Sequence, residues 1–347
     1  MRALIFESVG RVAVVTTPDP SIVDPGDVIV ATEVAGLCGS DLHVYRGLEP
    51  GLDPGTPMGH ELLGTIVAAG AAVSGFRVGD RVVAPFSTAC GACYFCERGL
   101  PARCERGQLF GWVEQGRGLA GCQAELVRVP LADSTLVKVP EKLLGEEALL
   151  AGDVLSTGWF GAANGGIAAG AVVAVVGCGA VGICAVAAAI ELGAERVLAI
   201  DPMEDRRRLA GRFDGEGVGL ETAVEQARAM TAGRGVDLVV EAVGSPAASR
   251  LAFDLVRAGG TISAVGVHHE PTLAIAPGAL YDKNLTYRAG RCPARAYLDR
   301  ALALITARRF PFDELVSHRL PLESAPEAYA AFDRREAGWS KVVFRTS

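Results

Sequence analysis

The fold of this chain is decided by the stretch AVVAVVGCGAVG, residues 171–182. Its glycines match G-x-G-x-x-G, directly after an apolar run and directly before an alanine-rich stretch. That context predicts a buried strand, a tight turn at Gly177, a phosphate approaching Gly179, and close helix packing at Gly182. Free N–H groups at the helix start would face the phosphate charge. Ordinary turn glycines are the alternative, but the context favours a dinucleotide site.

Outward from this stretch, apolar runs alternate with helical segments. Strands are predicted over 172–176, 197–200, 238–241 and 261–265, with helices near 180–192 and 204–212. Such alternation predicts βαβ units and a parallel, doubly wound sheet. The glycine-rich segment 213–219 gives no basis for placing a strand.

Asp201 lies at the end of the next predicted strand. A carboxylate there accepts hydrogen bonds from an adenosine ribose and repels a 2′-phosphate, so it predicts NAD rather than NADP. The run Arg206–Arg208 is the competing signal, because three arginines could hold such a phosphate. We interpret it as a solvated basic face of the helix after Pro202.

Four cysteines, Cys90, Cys93, Cys96 and Cys104, follow the spacing C-x2-C-x2-C-x7-C. Four thiolates are what a closed tetrahedral zinc site requires, so the run predicts a structural zinc lobe over about 88–106. A disulfide cluster or chance is the alternative. Cysteine is sparse elsewhere and the N-terminus shows no secretory signal, which disfavours disulfides.

The first part of the chain, to about residue 150, has a different pattern of predicted secondary structure. Short β segments punctuated by turn signals are expected over 12–17, 27–34, 62–69, 81–84 and 125–129. They predict a β-rich, barrel-like unit. Near the C-terminus we expect a helix over 295–308 and a strand over 341–345.

Length and charge limit the number of domains and the class of partner. A chain of 347 residues favours two domains, and a net charge of −7 argues against a nucleic-acid partner. The segment 154–190 carries no charge, but its many glycines indicate buried core rather than a membrane span. Without an extracellular cue, the nine cysteines point to the cytoplasm.

Over nearly its whole length the chain resembles the zinc-containing medium-chain alcohol dehydrogenases. The resemblance is carried by Cys38-Gly39-Ser40-Asp41-Leu42-His43, Gly59-His60-Glu61, the four-cysteine run, the glycine motif and Asp201. Within the family it is most similar to the branch of glutathione-independent formaldehyde dehydrogenases and bacterial secondary-alcohol dehydrogenases. In that branch an aspartate, here Asp153, replaces a cysteine as metal ligand.

The resemblance implies a GroES-like β-rich catalytic domain over 1–153 and 291–347. A Rossmann NAD-binding domain over 154–290 would be inserted between its two parts. This α/β plus β architecture agrees with the change near residue 150 from short β segments to alternating strands and helices.

Roles at the site follow from the resemblance. Cys38, His60 and Asp153 would hold a catalytic zinc with one open position, and Glu61 would lie behind it or bind when substrate is absent. Ser40 would touch the substrate oxygen, and His43 would pass the proton outward through the nicotinamide ribose. The residues expected at the cofactor are Thr157, Gly177, Gly179, Gly182, Asp201, Val243, Val265 and Val267. Judged without the family, these cysteine, histidine and aspartate residues could be core, surface and helix-cap residues.

We therefore expect an oxidoreductase that uses NAD and two zinc ions per chain. It would transfer a hydride between NAD and an alcohol, an aldehyde hydrate or a carbonyl. A polyol or sugar dehydrogenase, or a non-enzymatic zinc-stabilised protein, is the alternative; a zinc-free quinone reductase would lack these ligands. The expected partners are a small-molecule substrate and further copies of the chain, in a dimer or tetramer. Phe110, Trp112 and Trp159 could line the substrate pocket or the core, and His268, His269 and His318 are expected at a surface or interface.

Overall fold

The computed structural model describes residues 1–346, which form two compact units. The first unit contains Met1–Ser156, Pro293–Arg308 and the chain from Val316 onward. The second unit contains Thr157–Cys292 and Arg309–Leu315.

The first unit is rich in β structure. Its strands are β1 (Arg2–Ser8), β2 (Arg11–Thr16), β3 (Val28–Leu37), β4 (Leu62–Ala69), β5 (Arg81–Ala84), β6 (Trp112–Glu114), β7 (Arg117–Leu119), β8 (Leu126–Val129), β9 (Val137–Lys138), β16 (Val316–Pro321) and β17 (Lys341–Arg345). Its helices are α1 (Asp41–Tyr45), α2 (Tyr94–Glu97), α3 (Ala132–Thr135), α4 (Gly145–Leu150), α11 (Ala294–Thr306) and α13 (Ala325–Asp333), with short 3₁₀ turns at Pro101–Arg103 and Leu322–Ser324.

The second unit alternates strands and helices. Its strands are β10 (Val172–Val176), β11 (Arg196–Ile200), β12 (Glu216–Val218), β13 (Val236–Glu241), β14 (Val256–Ala264) and β15 (Thr286–Ala289). Its helices are α6 (Ala180–Glu191), α7 (Glu204–Gly211), α8 (Ala223–Met230), α9 (Pro246–Leu255), α10 (Pro277–Asp282) and α12 (Phe312–Leu315). Helix α5 (Val154–Asn164) begins in the first unit and continues into the second.

The main sheet of the first unit has the order β16-β17-β3-β4-β5-β9, and β8 also pairs with β3. The strands predicted over 62–69, 81–84 and 341–345 are confirmed with those bounds. Alternating aliphatic and β-branched residues of these strands turn one face into the core. The predicted β-rich unit is therefore confirmed.

Strand register brings three chain segments to one edge of this sheet. β3 and β4 run antiparallel with Ala35 opposite Leu62, and β4 and β5 run antiparallel with Leu62 opposite Ala84. The end of β3, the start of β4 and the end of β5 therefore lie side by side. Gly152 packs so tightly on this edge that a Cβ there would lie 2.2 Å from the Ala84 carbonyl oxygen.

The second unit is a parallel sheet of order β12-β11-β10-β13-β14-β15. This is the Rossmann order. The chain adds strands first on one side of β10 and then on the other, which leaves a crevice at the carboxyl ends of β10 and β13. The predicted doubly wound sheet is confirmed. Two edge strands were not predicted: β12, a three-residue strand whose central residue is Gly217, and β15.

The uncharged segment 154–190 consists of α5, β10 and most of α6. Most of β10 and α6 is buried inside the second unit. Among residues 1–346, no helix is both long enough and apolar enough to cross a membrane.

The glycine turn between β10 and α6 has little steric freedom. Gly177 has a φ of 92°, which side chains rarely adopt. A Cβ on Gly182 would lie 1.7 Å from the Gly177 carbonyl oxygen, whereas Gly179 faces open space at the start of α6. The turn therefore fixes helix against strand and leaves its middle glycine accessible.

We predict that Gly182→Ala lowers the free energy of unfolding by about 1–3 kcal/mol, because helix and turn must move apart. Gly211→Ala is the matched control, since nothing lies within 4 Å of a Cβ at that helical position. It should leave stability unchanged or raise it by up to about 1 kcal/mol. Urea unfolding without cofactor measures both, and equal stability of the two variants would contradict the packing described.

Candidate metal and dinucleotide sites

Four side chains with metal-binding atoms meet at the sheet edge formed by β3, β4 and β5. Cys38 follows β3, His60 and Glu61 precede β4, and Asp153 precedes α5. One ligand atom from each of the four lies within 4.8 Å of every other. The strand register thus joins residues that are far apart in the sequence.

Asp41 holds two of these groups in place. Its Oδ1 lies 3.0 Å from His60 Nδ1, and its Oδ2 accepts a hydrogen bond of 2.9 Å from the Cys38 backbone N–H. His60 Nε2 consequently points into the cluster, 3.4 Å from Asp153 Oδ2. A carboxylate on the far nitrogen of a metal-binding histidine fixes its tautomer and orientation. The sequence analysis missed this role, although Asp41 stands inside the CGSDLH segment.

Electrostatics at the cluster favour a cation. Burial and the nearby Asp153 raise the pKa of the Cys38 thiol. Burial opposes protonation of His60, but Asp41, Asp153 and Cys38 together outweigh it and hold the imidazole pKa well above its usual value. Burial also disfavours the Asp153 carboxylate, yet the hydrogen bond from His60 lowers its pKa to about 2. A bound cation would stabilise the thiolate and replace the proton on His60.

Glu61, the fourth member of the cluster, is paired with Lys341, the first residue of β17. Burial raises the pKa of Glu61 to about 7, against the opposing effect of the Lys341 ammonium. Lys341 Nζ donates to Glu61 Oε1 and, over 3.2 Å, to the Leu37 carbonyl oxygen. Glu61 Oε2 is buried and accepts no hydrogen bond from any residue in 1–346. The sequence analysis missed Lys341, which looked like the start of an ordinary strand.

Ser40 and His43 lie beside the cluster. Ser40 is at the start of the short helix α1, and His43 is within that helix. The Ser40 hydroxyl is 3.3 Å from both Cys38 Sγ and His60 Nε2. The His43 side chain is about one-sixth exposed, and its Nδ1 is 3.8 Å from Glu49 Oε1. One hydroxyl therefore faces the metal-binding atoms, and an imidazole lies nearer to solvent.

The four-cysteine lobe forms a second cluster in the first unit. Ligand atoms of Cys90, Cys93, Cys96 and Cys104 all lie within 4.8 Å of one another, and none of these four forms a disulfide. The backbone N–H groups of Cys96 and Glu105 lower the pKa of Cys93 to about 6. The geometry fits a closed tetrahedral metal site.

At the carboxyl edge of the second unit's sheet, Asp201 is joined to the glycine turn. Its Oδ2 accepts from the Cys178 N–H at 2.9 Å, and its Oδ1 accepts from the Met203 N–H at 2.8 Å. Each carboxylate oxygen keeps a further lone pair for a ligand hydroxyl. A dinucleotide fits here, because the middle glycine is open and the carboxylate is fixed beside it.

The arginines after Asp201 differ from our expectation in part. Arg208 is exposed and reaches Glu204, as a solvated helix face predicts. For the other two the expectation is wrong: Arg207 Nη1 donates to the Asp201 and Pro202 carbonyl oxygens, and Arg206 lies 3.8 Å from the Asp201 carboxylate. They turn back because the carbonyls and carboxylate at the end of β11 attract them.

The remaining predicted residues occupy several positions. Val243 follows β13 and is 44% exposed. Val265 and Val267 both follow β14; Val265 is half-buried and Val267 is 43% exposed. Thr157 lies on α5 in the second unit. Phe110 is buried in one core cluster of the first unit, Trp112 packs against another, and Trp159 is buried. His318 stacks on Trp339 with ring centroids 3.9 Å apart.

Comparisons with known proteins show the family to which this chain is similar. Residues 24–141 match the family model "Alcohol dehydrogenase GroES-like domain", and residues 180–307 match "Zinc-binding dehydrogenase". Zinc-type alcohol dehydrogenase B of Aspergillus flavus is 39% identical over 99% of this chain and 81% of its own length.

Solved structures give the same result. An alcohol dehydrogenase of Thermus sp. ATN1 is 41% identical, with a TM-score of 0.94 over 100% of both chains. A zinc-binding dehydrogenase of Sinorhizobium meliloti, bound to NADP, is 27% identical with a TM-score of 0.86 over 99% of both chains. Fold and sequence similarity therefore extend over both units.

We predict that Lys341→Met lowers the free energy of unfolding by about 3–5 kcal/mol, because Glu61 is left buried without its cation. Glu61→Gln in the same chain should recover part of that loss. Lys138→Met is the matched control: its ion pair with Asp80 is half exposed and should contribute under about 1 kcal/mol. Chemical denaturation measures all four proteins; similar losses in the two lysine variants would contradict the buried pair.

Proposed function

This chain belongs to the zinc-type medium-chain alcohol dehydrogenase family and is an oxidoreductase acting on CH–OH groups, and we propose that its reaction takes place at Cys38, His60 and Asp153. The observation that carries the proposal is the convergence of these three ligand types, with Glu61, at one sheet edge. A thiolate, an imidazole and a carboxylate bind zinc and leave a fourth position open.

Two metal ions per chain follow from the two clusters. The four-cysteine lobe offers four thiolates and no open position, so its zinc would be structural. The mixed cluster would hold the catalytic ion, with Asp41 orienting His60. Glu61, paired with Lys341, would stay behind the three ligands or replace substrate as a fourth one.

When bound, zinc supplies Lewis-acid polarisation of the alcohol oxygen, and NAD supplies the hydride acceptor. The protein's own residues then manage the proton. The Ser40 hydroxyl lies beside the metal-binding atoms, where it can hydrogen-bond the substrate oxygen. The His43 side chain is about one-sixth exposed and would carry the proton outward, since an imidazole can both accept and donate a proton.

The dinucleotide would bind over the glycine turn 177–182 at the carboxyl edge of the sheet. Asp201 would accept hydrogen bonds from the adenosine ribose, and the loops containing Val243, Val265 and Val267 would contact the nicotinamide half, with Thr157. The accessible middle glycine and the fixed carboxylate support this placement. The position of Arg206 beside Asp201 is the observation that favours NADP, as a second candidate.

Asp153 within the cluster supports membership of the branch with an aspartate ligand. Secondary alcohols and aldehyde hydrates are therefore the first substrates to test. A polyol or sugar dehydrogenase shares the same metal and cofactor parts, and a substrate panel separates the two.

The family also implies a homo-oligomer, a cytoplasmic location and domain limits of 1–153 with 291–347 and of 154–290. In support of self-association, β15 is an edge strand of its sheet and nearby Tyr281 is 86% exposed. We propose this oligomeric state, this location and these domain limits for the chain.

We predict that Asp153→Ala retains about one zinc per chain instead of two, loses most alcohol oxidation and remains folded, because the lobe is a separate site. Asp153→Cys is the matched control: a thiolate is a zinc ligand, so it should keep both ions. Elemental analysis and circular dichroism measure the outcome. Two zinc ions in the alanine variant would refute Asp153 as a ligand.

We predict that kcat/KM for NAD exceeds that for NADP by about tenfold or more, because the Asp201 carboxylate repels a 2′-phosphate. Steady-state kinetics with one alcohol and both cofactors give the ratio. Asp201→Asn should lower the ratio by removing the charge. Equal or better use of NADP by the unaltered protein would show that Arg206 dominates.

A further inference from the structure

Glu241 is a buried acidic residue that the proposed chemistry does not use. It ends β13, opposite Val176 of β10, and its side chain is 0% exposed. The carboxyl ends of β10 and β13 flank the crevice where a dinucleotide binds in a sheet of this order. An ionised carboxylate in such a position is costly unless several donors satisfy it.

Backbone N–H groups of two loops provide those donors. Glu241 Oε1 accepts hydrogen bonds of 2.8 Å from both Val243 and Gly244, in the loop after β13. The Glu241 carbonyl oxygen accepts from Val265 at 2.9 Å and from Gly266 at 3.0 Å, in the loop after β14. One residue thus holds both loops.

His268 completes the arrangement from the second loop. Its Nε2 is 2.9 Å from Glu241 Oε2, within hydrogen-bond distance. On its other side, Nδ1 lies 3.3 Å from Glu270. His268 was expected at a surface or interface; its side chain is one quarter exposed, and it contacts a fully buried acid.

The two loops also pack directly on each other and on the glycine turn. A Cβ on Gly266 would lie 2.1 Å from the Gly244 backbone nitrogen, and one on Gly177 would lie 2.5 Å from Val243 Cγ2. Val243 and Val267 nevertheless stay more than 40% exposed. The Glu241–His268 pair therefore supports an apolar, accessible surface beside the phosphate turn.

The sheet order indicates which half of a dinucleotide this surface would meet. Asp201 ends β11, on one side of β10, whereas Glu241 ends β13 on the other side. If the pyrophosphate lies over the turn after β10, the adenosine half extends towards Asp201. The nicotinamide half then extends towards the loops after β13 and β14.

We propose that Glu241 and His268 are positioning residues that fix these two loops as the seat of the nicotinamide half of NAD. The inference rests on the proposed function, namely that a dinucleotide binds at the glycine turn. Neither side chain need touch the cofactor; they act by holding Val243, Val265 and Val267 in place.

ADP-ribose and NADH test this directly, because ADP-ribose has the adenosine half without the nicotinamide. In calorimetric titrations of the zinc-loaded protein, His268→Ala and Glu241→Gln should raise the Kd for NADH about tenfold. The Kd for ADP-ribose should change by less than about twofold. His268→Ala removes a partly exposed side chain, so it keeps the test usable even where the Glu241 variant folds poorly.

Two reference variants make the result specific. Glu225→Gln, an exposed acid on α8, should change neither Kd, whereas Asp201→Asn should weaken both ligands. Equal weakening of both ligands by His268→Ala, or no weakening of NADH, would overturn the positioning role while leaving the proposed function intact. Failure of the unaltered protein to bind either ligand would overturn the dinucleotide site, and this inference with it.

Discussion

Buried negative charge at one sheet edge is the constraint on which the first unit depends. Cys38, Asp41, Glu61 and Asp153 gather there with His60 between them. A buried carboxylate without a cation costs several kcal/mol, so positive charge, from a cation or a bound proton, must offset the acids at this edge. Lys341 supplies part of that charge through Glu61. The remainder fits a divalent ion bound by the thiolate, the imidazole and the Asp153 carboxylate.

The second unit meets the same constraint with backbone donors instead of a metal. Asp201 and Glu241 are both buried at the carboxyl ends of β11 and β13, the two parallel strands that flank β10. Each accepts backbone N–H groups from the loops beside it, so each carboxylate fixes loop geometry while its own charge is satisfied. Asp201 joins the adjacent strand to the glycine turn, and Glu241 joins the two loops on the other side. Rigid loops at this edge are what a preorganised binding site requires.

Much of the fold and of the candidate sites could be predicted because the signals lie in short, continuous stretches of sequence. The glycine turn, Asp201 and the four cysteines each stand in a short stretch whose spacing carries its own physical reason. Asp153 was placed at the metal only through the family resemblance, because strand register, not spacing, brings it there. The Lys341–Glu61 and Glu241–His268 pairs escaped prediction for the same reason: tertiary packing alone decides which buried acid each cation or imidazole meets. β12 escaped because its short glycine-containing segment has almost no β signal.

We propose that buried acidic and thiolate groups at the sheet edge hold a reactive zinc, separate from the zinc of the cysteine lobe. Anomalous diffraction at the zinc absorption edge, from crystals of the protein as purified, tests this proposal. We expect two anomalous peaks per chain, one among Cys90, Cys93, Cys96 and Cys104 and one bounded by Cys38, His60 and Asp153. A peak in the lobe alone, with the other cluster empty in zinc-saturated protein, would contradict it.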